Sequence, residues 1–174
     1  MGVQKEMIIV EDILQEMFTY LPLSTSTDGS QDFAHKFLAG NEHELNAFLK
    51  NSDTSEVYPL IWLTYPYSEE HEKTKVTINN INLVLAVATN SSMMNDQRLL
   101  DTYKPILIPL FENIRMIFRR CGIFSLTDDK IKVIKFPNYS SETNRAGITI
   151  DRWDALKLTF GCTIINGCVK PIKI

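Results

Sequence analysis

Residues 148 to 165, ITIDRWDALKLTFGCTII, place Leu156, Leu158, Phe160, Cys162 and Ile164 at every second position, with Lys157, Thr159 and Thr163 between them. Successive side chains of an extended chain point to opposite faces, so this alternation predicts a strand with one face in a core and one face in water. A strand of this length cannot bury its apolar side alone; it needs strand neighbours and a covering layer. KVTINNINLVLAVATN, residues 75 to 90, supplies the first neighbour, with apolar positions at Val76 and Ile78 that change phase to Ile81, Leu83, Leu85 and Val87. The slip at Asn79 and Asn80 predicts a bulge or a tight turn.

Further strand patterns are FAHKFL, running into Gly40, and IKVIKF, residues 131 to 136. YPLIWLTYP, residues 58 to 66, is rich in β-favouring residues between two prolines, each of which biases the preceding residue toward extended geometry. No polar or charged neighbour lies between Pro59 and Leu63 to orient a ligand. The stretch therefore reads as a buried strand fenced by Pro59 and Pro66, with Trp62 under a helix and its indole N–H bonded, not as an aromatic binding platform.

The covering layer comes from helical spacing. Ile9, Val10, Ile13, Leu14, Met17, Phe18 and Leu21 predict a helix from Lys5 to Leu21, stopped by Pro22. In NEHELNAFLKN, Asn41 is placed as an N-cap with Glu44 three residues on, and Leu45, Phe48 and Leu49 share a face. The longest pattern runs from Asp96 to Cys121 and contains Pro105 and Pro109, which predicts a kink or a restart near Pro105, with Gly122 as terminator. LSTSTDGSQD and SEEHEKTK read as a loop and an exposed charged connection, and NGCVKPIKI as a turn and an extended end. The expectation is an α+β fold, a mostly antiparallel mixed sheet packed by two to three helices, in a single domain over residues 1–174.

Bulk properties narrow the function classes. No apolar segment reaches about 18 residues and Met1 to Val10 lacks a signal-peptide pattern, so a soluble, unsecreted protein without a membrane partner is expected. Cys121, Cys162 and Cys168 are too widely spaced for a zinc or redox motif, leaving free thiols, or a Cys162–Cys168 bridge across a turn. The net charge of −3 conceals a division: residues 1 to 100 hold 14 acids against 6 bases, and residues 101 to 174 hold 7 against 12. Such polarity suits a basic half that meets nucleic acid, subunits that stack through opposite charges, or two solvated surfaces.

Catalytic patterns are thin. His35, His43 and His71 lie near no nucleophile motif, and GxSxG, HExxH and Gly-rich phosphate loops do not occur. His35 and His43 could share a metal with Asp32 or Glu44, but solvated histidines at helix ends are the alternative. Asp151 with Asp154, or Glu69, Glu70 and Glu72, could be read as acid–base pairs, or as the boundary of a strand and a solvated loop. RMIFRRC sets Arg115, Arg119 and Arg120 on one side of the long helix, where Arg115 and Arg119, four apart, could face phosphates or another subunit. A sequence pI of 5.6 is low for a dedicated nucleic-acid binder.

In order along the chain, FLAGNEHELN (37 to 46), YPLIWLTYP (58 to 66), INLVLAVATN (81 to 90), RLLDTYKPILIPLF (98 to 111) and RWDALKLTFGCTII (152 to 165) resemble the tail-terminator or tail-completion (neck ring) proteins of tailed bacteriophages. The resemblance covers about residues 33 to 168 and rests on core patterns. It implies a structural virion protein, assembled in the host cytoplasm and located at the tail or neck. There it would form a homo-oligomeric ring, a hexamer in the family, that stops the tail tube and joins it to the connector while DNA passes through the lumen unbound. It implies no catalytic residues and no cofactors. Ring closure requires two different patches on each subunit, and the candidates are Glu69, Glu70 and Glu72 on one side and Arg115, Arg119 and Arg120 on the other. A nucleic-acid-binding adaptor and a small cytosolic enzyme with no recognisable motif are the alternatives.

Overall fold

In the computed structural model, residues 8–25, 32–51, 59–89, 94–139 and 152–167 are described. In chain order the elements are α1 (Val10–Phe18), β1 (Ser24–Thr25), β2 (Asp32–Phe33), β3 (Lys36–Asn41), α2 (Glu42–Asn51), β4 (Leu60–Tyr65), β5 (Glu69–His71) and β6 (Lys75–Thr89). A continuous helical run follows, made of α3 (Asn95–Arg98), a wide-turned π stretch (Leu99–Leu107) and α4 (Ile108–Arg120). The chain closes with β7 (Phe124–Leu126), a single 3₁₀ turn, β8 (Lys132–Tyr139) and β9 (Arg152–Ile165).

β6 and β9 are the two long alternating segments, and they pair antiparallel from Lys75 opposite Ile165 to Thr89 opposite Arg152. Between Ile78 and Ile81 the register shifts, because Ile78 faces Cys162 while Ile81 faces Phe160. One extra residue is thus accommodated at Asn79–Asn80, and the bulge keeps Val76, Ile78, Ile81, Leu83, Leu85 and Val87 all on the buried side. Around this ribbon the described residues form a mixed sheet of seven strands, in which only β3 and β4 run parallel. Toward one end the order is β3-β4-β6-β9-β8, and toward the other it is β5-β6-β9-β7. The α+β class follows.

One face carries the main core. Ile61 and Leu63 of β4, the apolar row of β6 and Leu156 to Ile164 of β9 lie beneath Leu14, Met17 and Phe18 of α1 and Ile106, Leu107, Leu110, Ile114 and Phe118 of the long helical run. Aromatic rings bridge the layers: Phe18 meets Phe37 of β3 edge-on at 5.2 Å, and Phe118 stacks on Phe124 of β7 at 4.4 Å and packs on Phe160 of β9 at 5.2 Å. The opposite face has a smaller core of Leu60, Trp62, Val84, Ala86, Trp153 and Ala155 under Leu45 of α2. Beyond it Lys157, Thr159 and Thr163 are partly exposed, the wetter face that alternation predicts.

Several local expectations are met. Asn41 and Glu44 exchange bonds, Asn41 N–H donating to Glu44 Oε2 at 2.8 Å and Glu44 N–H to Asn41 Oδ1 at 2.9 Å, so α2 begins with a reciprocal cap. Trp62 is 4% exposed, packs against Phe48 of α2 at 5.9 Å and donates its indole N–H to Gly40 O at 3.0 Å. The indole lies so close to β3 that a Cβ on Gly40 would stand 2.8 Å from Trp62 Cζ2, which explains the glycine there.

Other expectations are corrected. The long helix does not restart at Pro105; it widens into π-type turns, which suit a residue that has no N–H to give and whose ring would crowd the preceding turn. Ordinary α-geometry returns at Ile108, with Pro109 in the first turn. The helix does end just ahead of Gly122, at Arg120, but the chain leaves it through Cys121 in an extended conformation (φ −75°, ψ 112°). The first helix begins at Val10, after an extended Ile9, and ends at Phe18, so it is shorter at both ends than the expected span from Lys5 to Leu21. β1, β2, β5 and β7, each only two or three residues long, have no visible periodicity. Cys121 and Cys162 are buried free thiols, and Cys168 lies outside the described residues. Trp62→Ala should lower unfolding free energy by roughly 3 to 5 kcal/mol in denaturant titration, whereas Trp62→Phe, which loses mainly the bond to Gly40, should cost about 1 kcal/mol; equal small losses would mean that the indole is not packed as described.

Candidate functional site

The two short edge strands are where the chain's charge becomes geometry. β6 is longer than the neighbour on its outer side, because β4 pairs only with Asn82 to Ala86. The remaining backbone groups of β6 need partners, and the middle of SEEHEKTK supplies them: Glu69, Glu70 and His71 pair with Ile78, Thr77 and Val76, and Glu72 N–H donates to Lys75 O at 2.9 Å to close the hairpin. The expected charged connection is therefore a hairpin with an acidic edge strand. Glu69 Oε2 lies 2.7 Å from His71 Nε2, and Glu72 pairs with Lys75 at 3.0 Å. Glu70 is exposed and has no ion-pair partner among the described residues.

At the same end of the sheet, β7 forms the opposite edge, two strands away through β6 and β9. Edge to edge the spacing is about 14 Å. Beside β7, Arg115 and Arg119 of α4 project over a groove of about 300 Å³ whose walls also include Phe111, Leu126, Asp129, Lys130 and Ile131. Arg115 pairs with Glu112 at 3.1 Å, and Arg119 reaches Asp129 only at 3.9 Å. Asp128 and Asp129 hold left-handed backbone (φ 59° and 50°), which turns the chain sharply and brings Lys130 and Ile131 to the groove. Arg120 is exposed but lines no part of this groove, so the expected trio of arginines divides into a pair and a separate residue.

These edges belong to the two halves of the sequence. β3 to β6 come from the acidic first 100 residues and α4 with β7 to β9 from the basic remainder, and the strand order passes from one to the other only at the β6–β9 junction. Charge polarity along the chain is thereby converted into polarity across the sheet.

A second constellation ties the acidic half to the helical layer. Glu11, in the first turn of α1, accepts 2.6 Å bonds at Oε1 from both Tyr65 and Tyr67, which flank Pro66. Burial pushes the Glu11 carboxyl up, but the two hydroxyl donors outweigh it and hold the group below its ordinary value. Burial and donation to Glu11 push Tyr65 up to about 12 and Tyr67 in the same direction.

A polar group that sequence reasoning missed lies under the start of the long helix. Arg98 and Asp154 are 2% and 0% exposed and bond at 2.6 Å. Arg98 Nη1 also donates to Thr89 Oγ1 at 3.1 Å, and Thr102 Oγ1 lies 2.6 Å from Asp154 Oδ2. Asp154 does not bound β9; it sits within it, on the same parity as Leu156 and Leu158, and a charge at an apolar-face position is the pattern that could have revealed it. Asp151 lies outside the described residues.

The proposed metal residues serve separate tasks: Glu44 caps α2, Asp32 accepts from Thr25 Oγ1 at 2.9 Å, and His43 is exposed. His35 is not solvated; it is half-buried just before β3, and burial lowers its pKa against the raising effect of a backbone bond to Leu21. Among the described residues no cluster of His, Cys, Asp or Glu is placed to hold a metal, and no helix is long and apolar enough to cross a membrane. Burial pushes the Cys162 thiol up to about 12, so it is not poised as a nucleophile. No family model matches the chain, and no curated protein matches it.

Two measurements follow. Asp154→Asn should destabilise the protein by roughly 3 to 5 kcal/mol by removing the carboxylate that the buried Arg98 bonds at 2.6 Å, and a loss under about 1 kcal/mol in the same denaturant assay would show that water reaches the pair. The Glu11 contribution is fully present above the ordinary carboxyl value of 4.5 and fades as pH falls through the lowered value. Glu11→Gln should therefore lose less stability than the parent when denaturant midpoints at pH 7 are compared with those below pH 4.5, and identical losses would detach Glu11 from the acid limb.

Proposed function

We propose that this chain is a non-enzymatic structural subunit of a tailed-phage virion that forms a ring at the head–tail junction, terminates the tail tube and joins it to the neck. The observation that carries the reading is the placing of Glu69, Glu70 and Glu72 at one sheet edge and of Arg115, Arg119 and Lys130 at the other. Closed rings are built from heterologous contacts, in which one patch of each subunit meets a different patch of the next. The β5 hairpin and the α4–β7 groove are two such patches, at the same end of the sheet and on its opposite edges. Complementary charge sets register and orientation in such contacts more than it adds raw affinity. The likeness of the core segments to tail-terminator proteins supplies the station, with a hexamer as the ring. Both short edges carry charged residues at or beside the strand, a familiar guard against uncontrolled edge pairing.

In this reading Arg115 and Arg119 face the adjacent subunit, not the lumen, since cations lining a channel would retain passing DNA. A nucleic-acid-binding role would use the same two arginines and Lys130, but the sequence pI of 5.6 is low for a dedicated binder.

Particles assembled without this protein should show overlong tails, or tails unattached to heads, by electron microscopy, and purified subunits mixed with tail-tube subunits should scatter light as rings or capped tubes. Normal tails attached to heads in its absence would refute the reading. Salt-sensitive retention of the isolated subunit on DNA at physiological ionic strength would transfer the arginines to nucleic acid.

A further inference from the structure

We propose that the groove between α4 and the Asp128–Ile131 turn receives the β5 hairpin of a second copy of this chain, with Glu70 of the incoming hairpin contacting Arg119 and Lys130. This contact rests on the ring reading and specifies which side chains close the ring. The groove has a rim of net positive charge over an apolar floor: Arg115, Arg119 and Lys130, with the carboxylate of Asp129 among them, surround the partly buried Phe111, Leu126 and Ile131. The hairpin is its complement: the edge strand β5 and the turn after it carry Glu69, Glu70 and Glu72 within four residues, ahead of Lys73 and Lys75.

Partner availability singles out Glu70. Glu69 is engaged by His71 and Glu72 by Lys75, whereas Glu70 has no ion-pair partner among the described residues. On the receiving side, Lys130 likewise has none among the described residues, and Arg119 is held only at 3.9 Å by an exposed Asp129, so an incoming carboxylate can displace it at little cost. The methylene carbons of the glutamates can rest on the apolar floor, and the water they exclude strengthens the charge contacts at its rim. Because donor and receptor lie on opposite edges of one sheet, a subunit that uses its groove still presents its hairpin, and the contact repeats until the ring closes.

Two exposed substitutions test this without touching the core: Glu70→Lys and Lys130→Glu. Each variant alone should fail to assemble, or assemble at least about tenfold more weakly than the parent, while keeping the parent's thermal unfolding. An equimolar mixture of the two should recover rings, because every contact then joins unlike charges, and native mass spectrometry should find equal numbers of the two chains in each ring. Parent subunits that remain monomeric even with tail-tube subunits present would overturn both this contact and the ring reading. Parent rings combined with variants that assemble normally alone, or with a mixture that recovers nothing, would overturn this contact and leave the ring reading standing.

Discussion

The pairing of β6 with β9 is the constraint on which the remaining architecture depends. These are the two long strands of the sheet, and every other strand of it except β3 hydrogen-bonds to one or the other. The bulge at Asn79–Asn80 lets a phase-slipped sequence keep one apolar face along that whole length. It also joins the last strand of the acidic half to the last strand of the basic half. Without that one ladder the two halves would have no common frame, and the charge division along the chain would have no fixed direction in space.

The helical layer is secured by different chemistry at its two ends. At α1 a surface carboxylate gathers two tyrosine hydroxyls from the β4–β5 connection. Under α3 a buried arginine and aspartate join helix to strand with two threonines completing the group. Burying an ion pair adds little net stability compared with apolar packing, but it penalises every arrangement that separates the partners. Between these polar ties the aromatic series from Phe37 through Phe18 and Phe118 to Phe124 spans the core nearly from edge to edge.

What the sequence revealed follows from how far each physical preference extends along it. β6, β9 and α2 were legible because alternation or a capping pair recurs over many residues, and Trp62 because prolines and apolar neighbours exclude a wet environment. β5 and β7 were not, since three residues carry no period and their pairing is dictated by vacant positions on longer strands. The candidate acids and arginines were visible as charges, but the groove was not, because Phe111 and Ile131 are 20 residues apart and meet only through the turn at Asp128 and Asp129. The Arg98–Asp154 pair joins residues 56 apart, a separation at which single-chain patterns are silent.

The widened helix explains the spacing of the residues it buries. Thr102 and Tyr103, Ile106 and Leu107, and then Leu110 follow one another in strict steps of four. At 3.6 residues per turn each such step drifts by about 40°, so an ordinary α-helix would carry this row progressively off the core. Wider turns cancel the drift, and once α-geometry resumes the buried positions change to the mixed spacing of Leu110, Ile114, Ile117, Phe118 and Cys121. The helix thus has two gear ratios, each matched by its own apolar rhythm, with Pro105 in the first and Pro109 just after the change; moving either rhythm by a residue would turn the groove-lining face of α4 away from the sheet edge it serves.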